Sequence, residues 1–135
     1  MAALTEGRNT IMVPGGTTMV LPVAANVTIY DGALVVINAT GYAEPAKKAE
    51  SLKAVGRAEC LSNNKGGAAG DIYVTARRGV FSWDNDATNP VDITHVLGSC
   101  YIVDDHTVTS LATGSSVAGK VLGIEDDGSV LVETI

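Results

Sequence analysis

Residues 71–86 read Asp-Ile-Tyr-Val-Thr-Ala-Arg-Arg-Gly-Val-Phe-Ser-Trp-Asp-Asn-Asp. Ile72, Val74 and Ala76 alternate with Tyr73, Thr75 and Arg77, the two-residue period of a strand with one buried face. Arg78-Gly79 interrupts the alternation, and Val80, Phe81 and Trp83 resume it. The chain's one Phe and one Trp stand two residues apart, so a strand puts both rings on one face. The expectation is an all-β core nucleated on these rings, with Tyr101 or Ile102 beside them.

Downstream, Asp84 to Asn89 is a polar turn that ends at Pro90. Asp92 to Leu97, stopped by Gly98, has the cap and stop of a one- or two-turn helix. Ser99–Val103 reads as a strand, Asp104-Asp105-His106 as a turn and Thr107–Leu111 as a further strand. Lys120–Ile124 and Ser129–Thr134 flank Asp126-Asp127-Gly128-Ser129, a hairpin signal, and the last strand is expected inside a sheet. Upstream, Pro22 lies in the apolar run Met19–Val23. Proline cannot donate to a ladder, so that run is an edge strand or an extended arm. Asn26–Tyr30 and Ala33–Ile37 flank Asp31-Gly32, which predicts a hairpin. Ala46–Lys53 predicts a helical turn or charged loop leading into a strand over 54–61, and the small, glycine-rich residues 63–70 predict a mobile loop. About ten short strands with frequent turns make the chain all-β, a small antiparallel β-sandwich or β-barrel. Residues 1–16 read as a flexible N-terminal arm and 17–135 as a single β domain.

The 135 residues suit one domain. With 46% apolar but only 4% aromatic residues, the core must be mostly Val, Ile, Leu and Ala, which favours strands. A formal charge of −6 argues against nucleic acid as a partner, because phosphate binding needs clustered Lys and Arg. No apolar run approaches the ~20 residues of a membrane span, and the N-terminus has no secretory pattern, so no membrane partner is expected and synthesis in a cytoplasm is. Cys60 and Cys100 are too few for a disulfide framework; two reduced thiols are expected, and a single bridge between them is the alternative left open.

Candidate chemistry is sparse. Asp84/Asp86, Asp104/Asp105 with His106, and Asp126/Asp127 are acidic pairs, but none has calcium-loop spacing, and Asp is a turn residue for backbone reasons. His95 and His106 lack zinc spacing, and His95 reads as a helix cap. Ser99, His106 and Asp105 supply triad residue types without a nucleophile elbow. Residues 66–70 lack the Lys-Ser/Thr of a phosphate loop. No cofactor, metal or catalytic residue is therefore expected. Arg77-Arg78 stands out in so acidic a chain. Adjacent strand residues face opposite ways, so one guanidinium can meet a partner, and Tyr73 suits an interface too.

Several segments, in order, resemble the small capsid decoration (cement) proteins of tailed bacteriophages, particularly those of Mu-like transposable phages and prophages. They are residues 55–59 (Val-Gly-Arg-Ala-Glu), 66–71 (Gly-Gly-Ala-Ala-Gly-Asp), 77–81 (Arg-Arg-Gly-Val-Phe), 98–108 (Gly-Ser-Cys-Tyr-Ile-Val-Asp-Asp-His-Thr-Val) and 118–124 (Ala-Gly-Lys-Val-Leu-Gly-Ile). The likeness covers roughly residues 20–135. It implies a structural virion protein on the capsid exterior, made in the bacterial host, with no enzyme activity. Its partners would be the major capsid protein and two further copies of itself, as a homotrimer. The expected interface comprises Arg77, Arg78, Tyr73, Gly66 and Gly67, with Ile11, Met12 and Val13 of the arm. A tail, baseplate, receptor- or sugar-binding β module is the second expectation, and a small hydrolase the third.

Overall fold

The computed structural model describes residues 2–10 and 17–135, and the fold is all-β. In chain order the strands are β1 (Thr18–Pro22), β2 (Thr28–Ile29), β3 (Leu34–Ile37), β4 (Ala43–Pro45), β5 (Lys53–Ala58), β6 (Ser62–Asn63), β7 (Tyr73–Arg77) and β8 (Gly79–Asn85). A single 3₁₀ turn (Ile93–His95) precedes β9 (Ser99–Ile102), β10 (Thr107–Thr109), β11 (Val117–Ile124) and β12 (Val130–Thr134). The first part of the chain forms a sheet in the order β1-β7-β5-β3-β4, with β2 and β6 paired apart from it. The second part closes into a five-stranded barrel, β10-β8-β12-β11-β9. Arg78 alone separates β7 of the sheet from β8 of the barrel.

Two apolar clusters fill the molecule, and β3 belongs to both. Leu34, Val35 and Val36 are all fully buried. Strand alternation sends Leu34 and Val36 into the barrel's cluster, with Trp83, Ile102, Val121 and Val132. Val35 points the other way, to Val23, Ile29, Val55 and Val74. A continuous apolar run is what a strand covered on both faces requires. The sheet curls around the second cluster, and its ends approach where Val23 bridges Ala43 and the Ala24 N–H donates to the Ala43 carbonyl at 2.8 Å.

Many local readings hold. Pro22 ends β1, the edge strand of its sheet. β12 lies between β11 and β8. In the turn before it, the Glu125 N–H donates to the Ser129 carbonyl at 2.8 Å. Asp92 caps the 3₁₀ turn by accepting from the Thr94 N–H, and His95 accepts from the Asp92 N–H.

Four readings are corrected. Asp31-Gly32 is a turn, with the Ala33 N–H donating to the Tyr30 carbonyl at 3.1 Å, but not a hairpin: β2 pairs with β6, and β3 with β4 and β5. Only Gly32, the second central residue, has positive φ, +85°, whereas both tight hairpin turns need it at the first; turns of this hand splay their flanking strands. Residues 46–52 form the loop that was one of the two forms expected of them, but the following strand ends at Ala58 rather than Leu61. Phe81 and Trp83 do share a face, ring centroids 6.1 Å apart, but Phe81 is only half-buried against the barrel cluster. Trp83 does lie in one cluster with Ile102, but the deepest side chains are Ile, Leu and Val rather than the aromatic pair. Lastly, the 63–70 loop is anchored: buried Asn64 donates through Nδ2 to the carbonyls of Ala24 (2.9 Å) and Ala68 (3.0 Å).

Candidate functional site

β7 sets the frame for the expected interface. Val74 and Ala76 face the core, so Tyr73, Thr75 and Arg77 face outward. β1 adds its own outward residues in register: Pro22 opposite Tyr73, Val20 opposite Thr75, and Thr18 opposite Arg77. Val20 and Tyr73 are 63% and 61% exposed, a large apolar commitment to solvent on adjacent strands. The opposite end of this face is cationic. Arg57 lies opposite Arg77, and both reach Glu59 Oε1, Arg57 Nη2 at 3.0 Å and Arg77 Nε at 3.4 Å. The Arg57 guanidinium also covers the Phe81 ring, 4.9 Å from its centroid. One carboxylate thus serves two guanidiniums.

The interface residues expected from sequence divide between the two ends of β7. Arg77 is at its C-terminal end. Arg78 lies just beyond, outside any strand, its N–H donating to the Thr17 carbonyl at 2.7 Å. Gly66 and Gly67 belong to the loop at the Tyr73 end. There the Gly66 N–H donates to Asn26 Oδ1 at 2.9 Å, and the Gly70 N–H donates to the Val23 carbonyl at 2.9 Å. Four residue steps, ~13 Å at ~3.3 Å each, separate Tyr73 from Arg77. Ile11, Met12 and Val13 lie outside the described residues; residues 2–10 are exposed and form no strand. Sequence reasoning missed Val20 and Arg57. The β-pattern of 18–22 could have exposed Val20 had its register been known, whereas Arg57 joins through a strand pairing no local signal announces.

The acidic pairs occupy turns. Asp86 accepts from the Thr88 and Asn89 N–H groups and from Thr109 Oγ1. The Thr88 bond first, then that of Thr109, holds its carboxyl below the usual range. Asp127 accepts from the Ser129 N–H at 2.9 Å, which lowers its pKa in the same way. His106 Nδ1 lies 3.1 Å from Asp105 and 3.0 Å from Asp104. That contact with Asp105, and then the neighbouring carboxylate charges, raise the His106 pKa against some desolvation. Asp104, Asp105 and His106 are close enough for one cation to touch all three, but His106 Nδ1 is already engaged by Asp104 and Asp105, and Asp104 accepts from the His106 N–H in the turn. Ser99 begins β9 and His106 follows its far end, so the triad residue types are not assembled. Glu44 is the buried carboxylate. Burial would raise its pKa, but Lys47 at 2.8 Å from Oε1 and Asn38 at 3.0 Å from Oε2 outweigh burial and lower it. Cys60 is exposed and Cys100 buried, both free, so no bridge joins them. Among the described residues no helix is long and apolar enough to cross a membrane.

No family model, curated protein or solved structure matches the chain.

Proposed function

We propose that the chain is a structural virion protein that binds the outer surface of a phage capsid and stabilises the shell by bridging major capsid subunits. The observation that carries this reading is the outward face of β1 and β7, where Val20 and Tyr73, diagonal to each other on adjacent strands, both stand exposed. Tyr and apolar side chains on two adjacent strands suit a broad protein surface better than a small ligand. The ordered segments that resemble phage decoration proteins support the same reading. Binding only to the assembled lattice stabilises that lattice by mass action. In this reading three copies sit together where capsid subunits meet, and avidity makes weak single contacts sufficient.

The test uses shells of a Mu-like phage stripped of their own decoration protein. The purified chain should sediment with them and raise the temperature at which they rupture. Tyr73→Ala with Val20→Asp should abolish both effects while the thermal melt of the free protein is preserved. Failure of the wild-type chain to sediment with any such shell overturns the reading.

A tail, receptor- or sugar-binding module is the alternative, and one observation favours it. Trp83 alone among the six aromatic residues is buried, and Tyr30 and Tyr73 are each 61% exposed, leaving rings free to stack on a sugar. Binding to isolated tails or to a glycan array, with none to shells, selects it.

A further inference from the structure

Charge in this molecule is sorted by position. Residues 79–135 contain nine of the fifteen Asp and Glu residues and, in Lys120, one of the nine Lys and Arg residues. The fold turns that imbalance into two poles. At the start of β8 stand Arg57, Arg77 and Arg78. On the same end of the barrel, Lys120 lies opposite Glu133, which in turn lies opposite Val80. Lys53 lines the same groove as Lys120. Glu59 and Glu133 are the carboxylates among these five cations. At the other end of β8 stand Asp84 and Asp86. The β9–β10 turn brings Asp104 and Asp105 there, since Thr107 lies opposite Asp84. The β11–β12 turn brings Asp126 and Asp127, since Val130 lies opposite Trp83. Against these six carboxylates stand His106, 3.8 Å from Asp84, Lys48, whose charge reaches Asp86, and Lys47, which lines a pocket with Asp104 and Asp105 but is paired with Glu44 at 2.8 Å. Six residue steps of β8, ~20 Å at ~3.3 Å each, separate the poles. That exceeds the ~10 Å screening length at 0.1 M salt, so the poles do not neutralise one another within one molecule.

We propose that the outer sheet face at the Arg57–Arg77 end docks on the acidic barrel end of a second copy of this chain, a head-to-tail contact between unlike surfaces. Charge complementarity names the occupant: the surface that suits three guanidiniums is a cluster of exposed carboxylates, and this chain presents one. Guanidinium–carboxylate pairs supply direction and register. Because the two surfaces differ, each bound copy still offers one free pole, so the contact closes into a ring or continues as a filament. The inference rests on the charges of this chain and is independent of whether a shell is its receptor.

The experiment is sedimentation equilibrium of the whole chain with two charge-reversed variants. One is Arg57→Glu/Arg77→Glu. The other is Asp84→Lys/Asp126→Lys, at two exposed carboxylates that accept no backbone hydrogen bond. Wild-type protein should associate with rising concentration at low ionic strength and return to the single-chain mass at high salt. Each variant alone should stay at the single-chain mass at both salts. An equimolar mixture of the two should associate again, because each keeps the pole that the other has reversed; this restoration also shows that neither variant is misfolded. The inference is overturned if the wild type is a single chain at low salt, if either variant associates as the wild type does, or if the mixture stays dissociated.

Discussion

At the residue scale, the strongest constraint is at Gly56. Its φ of +147° is open to few L side chains, and a β-carbon there would lie against the Arg77 carbonyl, where β5 pairs with β7. Gly56→Ala should therefore cost at least about 2 kcal/mol, from strain and displaced backbone together. Gly32, at φ +85° but facing open space, should lose only about 1 kcal/mol on the same change. Urea melts of the two variants check the contrast, and equal losses would refute it. The thiols give a second prediction. Burial pushes the Cys100 thiol from an ordinary value near 9 up to about 12. Below pH ~9 the thiol is protonated folded or unfolded and adds no pH dependence; above it only the unfolded thiol ionises, so stability should fall as pH rises from ~9 toward ~12. Cys60 should react with iodoacetamide in the native protein and Cys100 only after denaturation. A Cys100→Ala variant whose stability keeps the same alkaline slope would refute the linkage. Sequence alone gives no sign of this constraint, because the reason for a glycine at 56 is the Arg77 carbonyl, 21 residues further along the chain.

At the element scale, turns were legible and strand partners were not. Asp92, Gly98 and Asp126–Ser129 announce their turns through side-chain and glycine chemistry that acts within a few residues. Pro22 likewise marks an edge because a missing N–H is a local fact. The β2–β6 pairing depends instead on how the Gly32 turn aims the chain, and no alternation of apolar residues encodes that direction. The 63–70 loop is the sharpest case. Its small, polar composition reads as mobility, yet Asn64 reaches back across some forty residues to the Ala24 carbonyl. Asn64→Ala removes the side-chain donor to the buried Ala24 carbonyl and should cost about 2 kcal/mol. Hydrogen exchange at the Gly67 and Gly70 amides should quicken in that variant, and unchanged exchange would show that the loop is held by something else. The candidate interface was half legible for the same reason: Tyr73, Arg77 and Arg78 lie on one recognisable strand and its exit, whereas Val20 and Arg57 join only through register.

At the scale of the whole molecule, β3 decides cooperativity. Adjacent residues Leu34 and Val35 feed different cores, so neither core can be lost while the strand stays in place. Leu34→Ala and Val35→Ala should each cost about 2–4 kcal/mol and lower one common thermal transition. Calorimetry resolving two transitions in either variant would show that sheet and barrel melt independently. The all-β class was legible because β-branched residues, glycine turns and short alternating runs are spread through the whole chain. The closed barrel beside a curled sheet was not, since sandwich and barrel share that composition.

The one-residue link at Arg78 has a further consequence. Among the described residues, all strands before it belong to the sheet and its small β2–β6 companion and all strands after it to the barrel, so between them the chain passes from one body to the other once. Yet Leu34, Val36 and Ala46, from before the link, pack in one buried cluster with the barrel's apolar residues. A cut at the Arg78–Gly79 bond would thus yield two fragments, each with an apolar surface shaped for the other. The molecule has the layout of a split pair, whose halves, made separately, regain their fold by meeting.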